Sequence, residues 1–123
     1  MQPRDPAAFL WDVVQACDGI ARRIKGVDGG GFAADEDWRL ICERLLSNGC
    51  EAVRAFVRLR PDLAWRLRNH GDILHFRNFL THVYFSIDPR KLWPILEEHV
   101  PVLREDAQVL LRELSPEDPQ VDL

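Results

Sequence analysis

The chain has 123 residues, 46% of them apolar, and a formal net charge of −4. That length suits one domain, and that apolar share supports a core and excludes global disorder. No apolar run nears the ~20 residues that span a bilayer, and the opening "MQPRDPAAFLWD" lacks the charged-then-apolar layout of a signal peptide, so the expected location is the cytoplasm, off the membrane.

The first helix is expected to begin near Asp5-Pro6, because Asp caps and Pro suits the first helical position. Phe9, Val13, Cys17, Ile20 and Ile24 then recur on one face of a 3.6-residue period. "GVDGGG" (26–31) reads as a flexible connector, with no preceding strand and no phosphate-loop lysine. A second helix starts between Ala34 and Asp37, with acids in the turn where the helix dipole favours them. Its expected buried stripe is Trp38, Ile41, Leu45, Val53 and Phe56. Gly49 interrupts it, which implies a bend or a close helix neighbour.

"RLRPDLAWRLRNHG" (58–71) reads as a turn region with one short helical piece after Pro61. The third helix is expected over about Asp72 to Ile87, stopped by Asp88-Pro89, which also starts the fourth. The fourth carries Leu92, Ile95, Leu96, Leu103, Ala107, Leu110 and Leu114, with a kink expected at Pro101. No segment alternates with period two. The expected fold is all-α, an antiparallel four-helix-type bundle over residues 1–114 with one short extra helical turn. Residues 115–123, polar and proline-bearing, read as a disordered tail.

Cys17, Cys42 and Cys50 are odd in number, widely spaced and without a C-x-x-C pair, so three reduced and mostly buried thiols are expected. Charge is uneven. Arg54 to Lys91 holds eight Lys/Arg against three acids, +5, and leaves −9 for the remainder. Such a segment is an anion-binding face or a solvated helix surface.

Within it lies "HFRNFLTHVYFSID" (75–88), where groups that hold or move protons interrupt an apolar run. On a helix Asn78 and His82 lie nearly in line, as do Arg77 and Tyr84, while His82 sits about 140° from Arg77. An Arg and a His suit metal-free RNA cleavage: His takes the ribose 2′-hydroxyl proton, and Arg stabilises the charge at phosphorus. The bland alternative is a core or capped His82 and an Arg77 paired with an acid. A metal site from His70, His75 and His82 fits poorly, because no i,i+4 pair and no completing acid are present.

"RNFLTHVYFSID" followed by "LWPILEEHVPVL" resembles the HepT-like toxins of the HEPN superfamily, whose mark is R-x4-H-x-Y. Here that motif is Arg77, Asn78, His82 and Tyr84. "FLWDVVQACDGI" and "FAADEDW" are similar to the family's first and second helices, so the resemblance spans roughly residues 9 to 112. The family's Ile-Gly-Glu-Ala is replaced by "NGCEAV", with Cys50 between Gly49 and Glu51, and the stretch from Trp65 to Arg77 is longer than usual.

The resemblance implies a dimeric, all-helical, metal-independent endoribonuclease that needs no cofactor and acts on RNA as a toxin. It implies Arg77 and His82 as catalytic residues, Asn78 as an assisting polar group and Tyr84 as the residue that receives AMP. The implied partner is a minimal nucleotidyltransferase antitoxin. The other functional class is a catalytically silent HEPN module that binds a nucleotidyltransferase and its nucleotide or substrate.

Overall fold

The computed structural model describes residues 5–82 and 88–115, with 79–82 described by their backbone alone. The chain is all-α. Helix α1 spans Pro6–Ile24, α2 Gly29–Ala34, α3 Glu36–Leu59, a 3₁₀ turn Pro61–Arg66, α4 His70–His82, α5 Pro89–Pro94, a π turn Ile95–His99 and α6 Val100–Leu114. Among the described residues there is no strand, and no helix is long and apolar enough to cross a membrane.

Aspartates set the helix starts. The Asp5 carboxylate accepts from the Ala7 N–H at 2.8 Å, Asp35 from Trp38 at 2.9 Å, and Asp88 from Arg90 at 2.9 Å. Each satisfies an amide that the first helical turn leaves without a partner, and Pro6 and Pro89 follow two of these caps with φ already helical. Helix α4 begins at His70, two residues before the expected Asp72, immediately after Asn69 with φ 61°.

The core forms where α1 packs along both α3 and α6. Leu10, Val13, Cys17 and Ile20 meet Cys42, Leu46, Cys50, Val53 and Phe56 on one side and Leu103, Ala107 and Leu110 on the other. The expected α1 stripe holds, with Phe9 and Ile24 at its half-buried ends. The α3 stripe is turned by about one residue, because Cys42 and Leu46 occupy the inward positions. Ile41, expected inside, is 44% exposed, and Trp38 and Leu45 are half-buried. At Gly49 the helices come close: an added Cβ would lie 3.4 Å from the Ala16 Cβ of α1.

Two connections differ from expectation. "GVDGGG" is not merely a loose connector, since its last three residues open α2. The Asp28 carboxylate accepts from the Gly31 N–H at 2.7 Å, and Phe32 is fully buried against Trp93, ring centroids 5.1 Å apart. Burial of a phenylalanine contributes about 1.5–3 kcal/mol, which offsets the poor helix propensity of the glycines. Gly29 also admits Trp93, whose Cδ1 would lie 3.3 Å from a Cβ there.

The expected fourth helix is three consecutive segments. In place of a simple kink at Pro101, the helix widens into the π turn just before it, where the Val100 N–H donates to the Ile95 carbonyl five residues back. Pro101 has no N–H to give the carbonyl four residues back, and a π turn absorbs that loss without breaking the helix.

Helix α4 sits at the edge of this bundle, with its main contact on α3. None of its described side chains is fully buried, and Ile73, Leu74 and Phe76 are half-buried against the core. The expected continuation of this helix through residues 83–87, and all of the expected tail at 115–123 except Ser115, lie outside the described residues.

Gly49 supplies a test of the α1–α3 approach. Gly49→Ala should stabilise by about 0.5–1 kcal/mol, since it gains helix propensity and its methyl meets Ala16 at ordinary contact distance. Gly49→Leu should destabilise by about 1–3 kcal/mol, because its longer side chain enters space held by α1. Urea unfolding midpoints decide it; equal losses in both variants would contradict the packing.

Candidate functional site

The motif occupies the second half of α4. Arg77 lies on the side of α4 that faces α3, its side chain 20% exposed. Its Nε–H donates to the Glu51 carboxylate of α3, and its Nη1–H donates to Asn78 Oδ1 at 3.0 Å. Glu51 stands between the buried Cys50 and Ala52, so its backbone is fixed by the core while its side chain is 44% exposed. Arg77 is thus paired with an acid, as the bland alternative held.

His82 is the last described residue of α4, on the same unbroken helix as Arg77. Five helical residues separate their Cα atoms by about 140° and about 7.5 Å along the axis. The His82 side chain and all of Tyr84 lie outside the described residues. The structure therefore brings Arg77 and Asn78 together and adds Glu51, which the sequence offered only as part of a departure from a family pattern. Glu51 and Arg77 are 26 positions apart, and no spacing rule links them.

Five of the eight cations of the basic segment are paired with acids where they stand. Arg60 pairs with Asp62 at 3.0 Å, Arg66 with Glu113 at 2.8 Å, Arg68 with Asp106 at 2.8 Å and Arg90 with Asp88 at 3.0 Å. With Arg77 on Glu51, these arginines form no bare anion-binding face.

Beside the motif lies a cleft of about 320 Å³ between α3, α4 and the π turn with the start of α6. Leu46, Ile73, Phe76 and Leu103 make its walls, and Asp72, His75 and His99 its polar edge. Cys50 and Phe76 line it, and each is the chain neighbour of a member of the Glu51–Arg77 pair. His75 is about 160° around the helix from Arg77, but Ile73, four residues before Arg77 and nearly in line with it, also lines the cleft, so the cleft wraps α4 up to the Arg77 side. Among the described residues, His, Cys, Asp and Glu nowhere gather in threes as metal ligands.

All three cysteines are free and buried. Burial pushes the Cys17 thiol up to about 12, with Asp18 adding to the rise. Burial also pushes Cys50 up to about 12, Glu51 adds to it, and Arg77 opposes it. Cys42 is raised as well, chiefly by burial.

Residues 13–110 match the protein family described as Ribonuclease HepT-like. The chain belongs to that family. The HepT-like chain is 29% identical over 114 residues to a Methanocaldococcus jannaschii protein named "Putative RNase MJ1380", an alignment that spans 89% of this chain and all of that protein. It is 28% identical over 100 residues to "Probable ribonuclease HepT" of Thermococcus cleftensis, spanning 78% of this chain and 86% of that one. A Caldanaerobacter subterraneus protein named "Putative RNase TTE0752" is 24% identical over 113 residues, 89% of this chain and 96% of that one. No solved structure matches the chain.

The thiols of this HepT-like chain should be inert while it is folded. At pH 8 Ellman's reagent should label almost none of the three cysteines without denaturant and all of them in it. Folding raises the Cys17 and Cys50 values above the usual 9.0, so the folded state holds protons that the unfolded state releases. Their contribution is full below about pH 9 and is lost as pH rises toward about 12. Urea unfolding at pH 7 and pH 10 should show lower stability at pH 10; equal or greater stability there would contradict the burial.

Proposed function

We propose that this HepT-like protein is a metal-independent endoribonuclease and the toxin of a toxin–antitoxin pair. The observation that carries this reading is Arg77, bonded to Asn78, on the same unbroken helix as His82. Family membership and the names of the relatives supply the reaction class.

The chemistry needs two groups. The His82 imidazole removes the proton from a ribose 2′-hydroxyl, as a base with a value near neutrality can. The 2′-oxygen bonds to phosphorus, and the bond from phosphorus to the 5′-oxygen breaks. That oxygen takes a proton from solvent, and a 2′,3′-cyclic phosphate remains. Arg77 holds the phosphate and stabilises the charge that develops on it, and Asn78 keeps the guanidinium in plane. A homodimer fits the same reading: α4 is a half-buried edge helix, and a second copy against it would bury Ile73 and Phe76 further and line one groove with two motifs.

A silent HEPN module that binds a nucleotidyltransferase is the second reading. It is favoured by the Glu51–Arg77 pair, which leaves little net charge for a phosphate.

Cleavage decides between them. The purified protein should cut RNA in EDTA, leave 2′,3′-cyclic ends, spare DNA and scatter light as a dimer at micromolar concentration. His82→Ala should lower the rate by about 10²-fold or more. Cleavage by His82→Ala at the wild-type rate would refute the assignment, and a fully active monomer would rule out a shared groove.

The proposed partner is a minimal nucleotidyltransferase antitoxin that attaches AMP to Tyr84. An AMP on Tyr84 would add a negative phosphate and a bulky base to the R-x4-H-x-Y motif, which would compete with RNA without any change of fold. After co-expression with the candidate partner, intact mass should rise by whole AMP units, and Tyr84→Phe should lose the increments and stay toxic. Increments that persist in Tyr84→Phe would place the modification elsewhere.

A further inference from the structure

Helix α4 gives Arg77 a poor reference frame. The helix lies at the edge of the bundle, and none of its described side chains is fully buried. A guanidinium on a long side chain needs something rigid to set its direction, and here that comes from the neighbouring helix. Glu51 is flanked by Cys50, 1% exposed, and Ala52, 6% exposed, so its Cα is anchored in the core.

The bonds fall on two different nitrogens, Nε to Glu51 and Nη1 to Asn78. A planar fork held at one atom can swing about that bond. Held at two it keeps one orientation, with the Nε side turned to α3. Asn78 moves with α4, whereas Glu51 ties the fork to the core.

The same pairing has an electrostatic cost. A carboxylate on the guanidinium cancels most of its charge at a distance, so the pair attracts polyanions weakly. Phosphate affinity is lowered while the direction of the fork is fixed. Glu51 thus acts on binding and on turnover with opposite signs.

We propose that Glu51 is a positioning residue for Arg77, which raises turnover by fixing the guanidinium and weakens RNA binding by shielding its charge. The proposal rests on the ribonuclease reading. A carboxylate there that merely tied α3 to α4 would affect stability and neither kinetic constant.

The test compares Glu51→Ala, Glu51→Gln and wild type on an RNA oligonucleotide, with kcat and KM measured per folded molecule and folding checked by circular dichroism. Glu51→Ala removes both anchor and charge. Its kcat should fall about 10²-fold, the size expected when a reacting geometry loosens by about 1 Å. Glu51→Gln keeps an acceptor oxygen and removes the charge. It should recover at least about tenfold of that loss, lower KM about threefold, and make binding more salt-sensitive.

A split of this kind, with kcat set by the acceptor and KM by the charge, supports positioning. Equal kcat and KM in all three proteins, with only the melting temperature changed, would overturn it. The ¹⁵N spectrum of the Arg77 Nε–H adds a reading that needs no catalysis. Its resonance, assigned with Arg77→Lys, should persist in Glu51→Gln and broaden or shift to the solvent-exposed position in Glu51→Ala. If wild type cuts no RNA, the ribonuclease reading fails. The resonance alone then decides the anchoring, and an unchanged signal in Glu51→Ala overturns it.

Discussion

The burial of α1 aligns the two long helices, α3 and α6, on which the rest of the bundle packs. Its inward face is shared by α3 and α6, and with Val13 and Ile20 almost wholly removed from water it acts as the spine against which both long helices are aligned. Small residues let the approach be close: an added Cβ at Gly19 would lie 3.3 Å from Leu45, and one at Gly49 would touch Ala16. Because α1 takes up the inner faces of α3 and α6, α4 is left to pack on α3 from outside. Arg77 and Asn78 thus stand on an edge helix, outside the core, and the cleft between α4 and α6 is the space that α1 does not fill.

Electrostatics follow the same geometry. The arginines of the middle segment reach out to acids on the elements they pack against. Arg66 and Arg68 fasten the turn before α4 to Glu113 and Asp106 of α6, while Arg104 of α6 donates to Asp18 of α1 at 2.8 Å. Exposed pairs of this kind contribute on the order of 0–1 kcal/mol each, so their effect is more on registry than on stability. Three of the segment's arginines, Arg66, Arg68 and Arg77, are thereby paired with acids from outside it.

How much of this was legible in the sequence depends on how local the cause was. Asp5-Pro6 and Asp88-Pro89 mark helix starts correctly, and the start read between Ala34 and Asp37 falls at the Asp35 cap, because a cap is decided within three residues. The α1 face was readable for the same reason: its period is carried by consecutive turns of one helix. The α3 face was misread at Ile41, because Cys42 fills an apolar position that a search for large aliphatic and aromatic residues passes over. The short α2 was hidden, since it depends on Phe32 meeting Trp93, sixty-one positions away, against the low helix propensity of glycine. Glu51 was hidden likewise, being joined to Arg77 only through the packing of α3 on α4. Arg77 and Asn78 as neighbours on one helix could be read directly from spacing, whereas Tyr84 and the His82 side chain lie outside the described residues.

In the proposed reaction a ribose 2′-hydroxyl, activated by a side chain of the motif, is the nucleophile. The most direct test is single-turnover cleavage, in EDTA, of one RNA sequence in two forms, unmodified and fully 2′-O-methylated. The methyl group leaves the phosphates, their charge and the A-form geometry in place and removes only the attacking hydroxyl. The account predicts cleavage of the unmodified strand and none of the methylated one, with both strands binding. Equal cleavage of both would mean that water, and not the ribose, attacks the phosphorus, and would contradict the account.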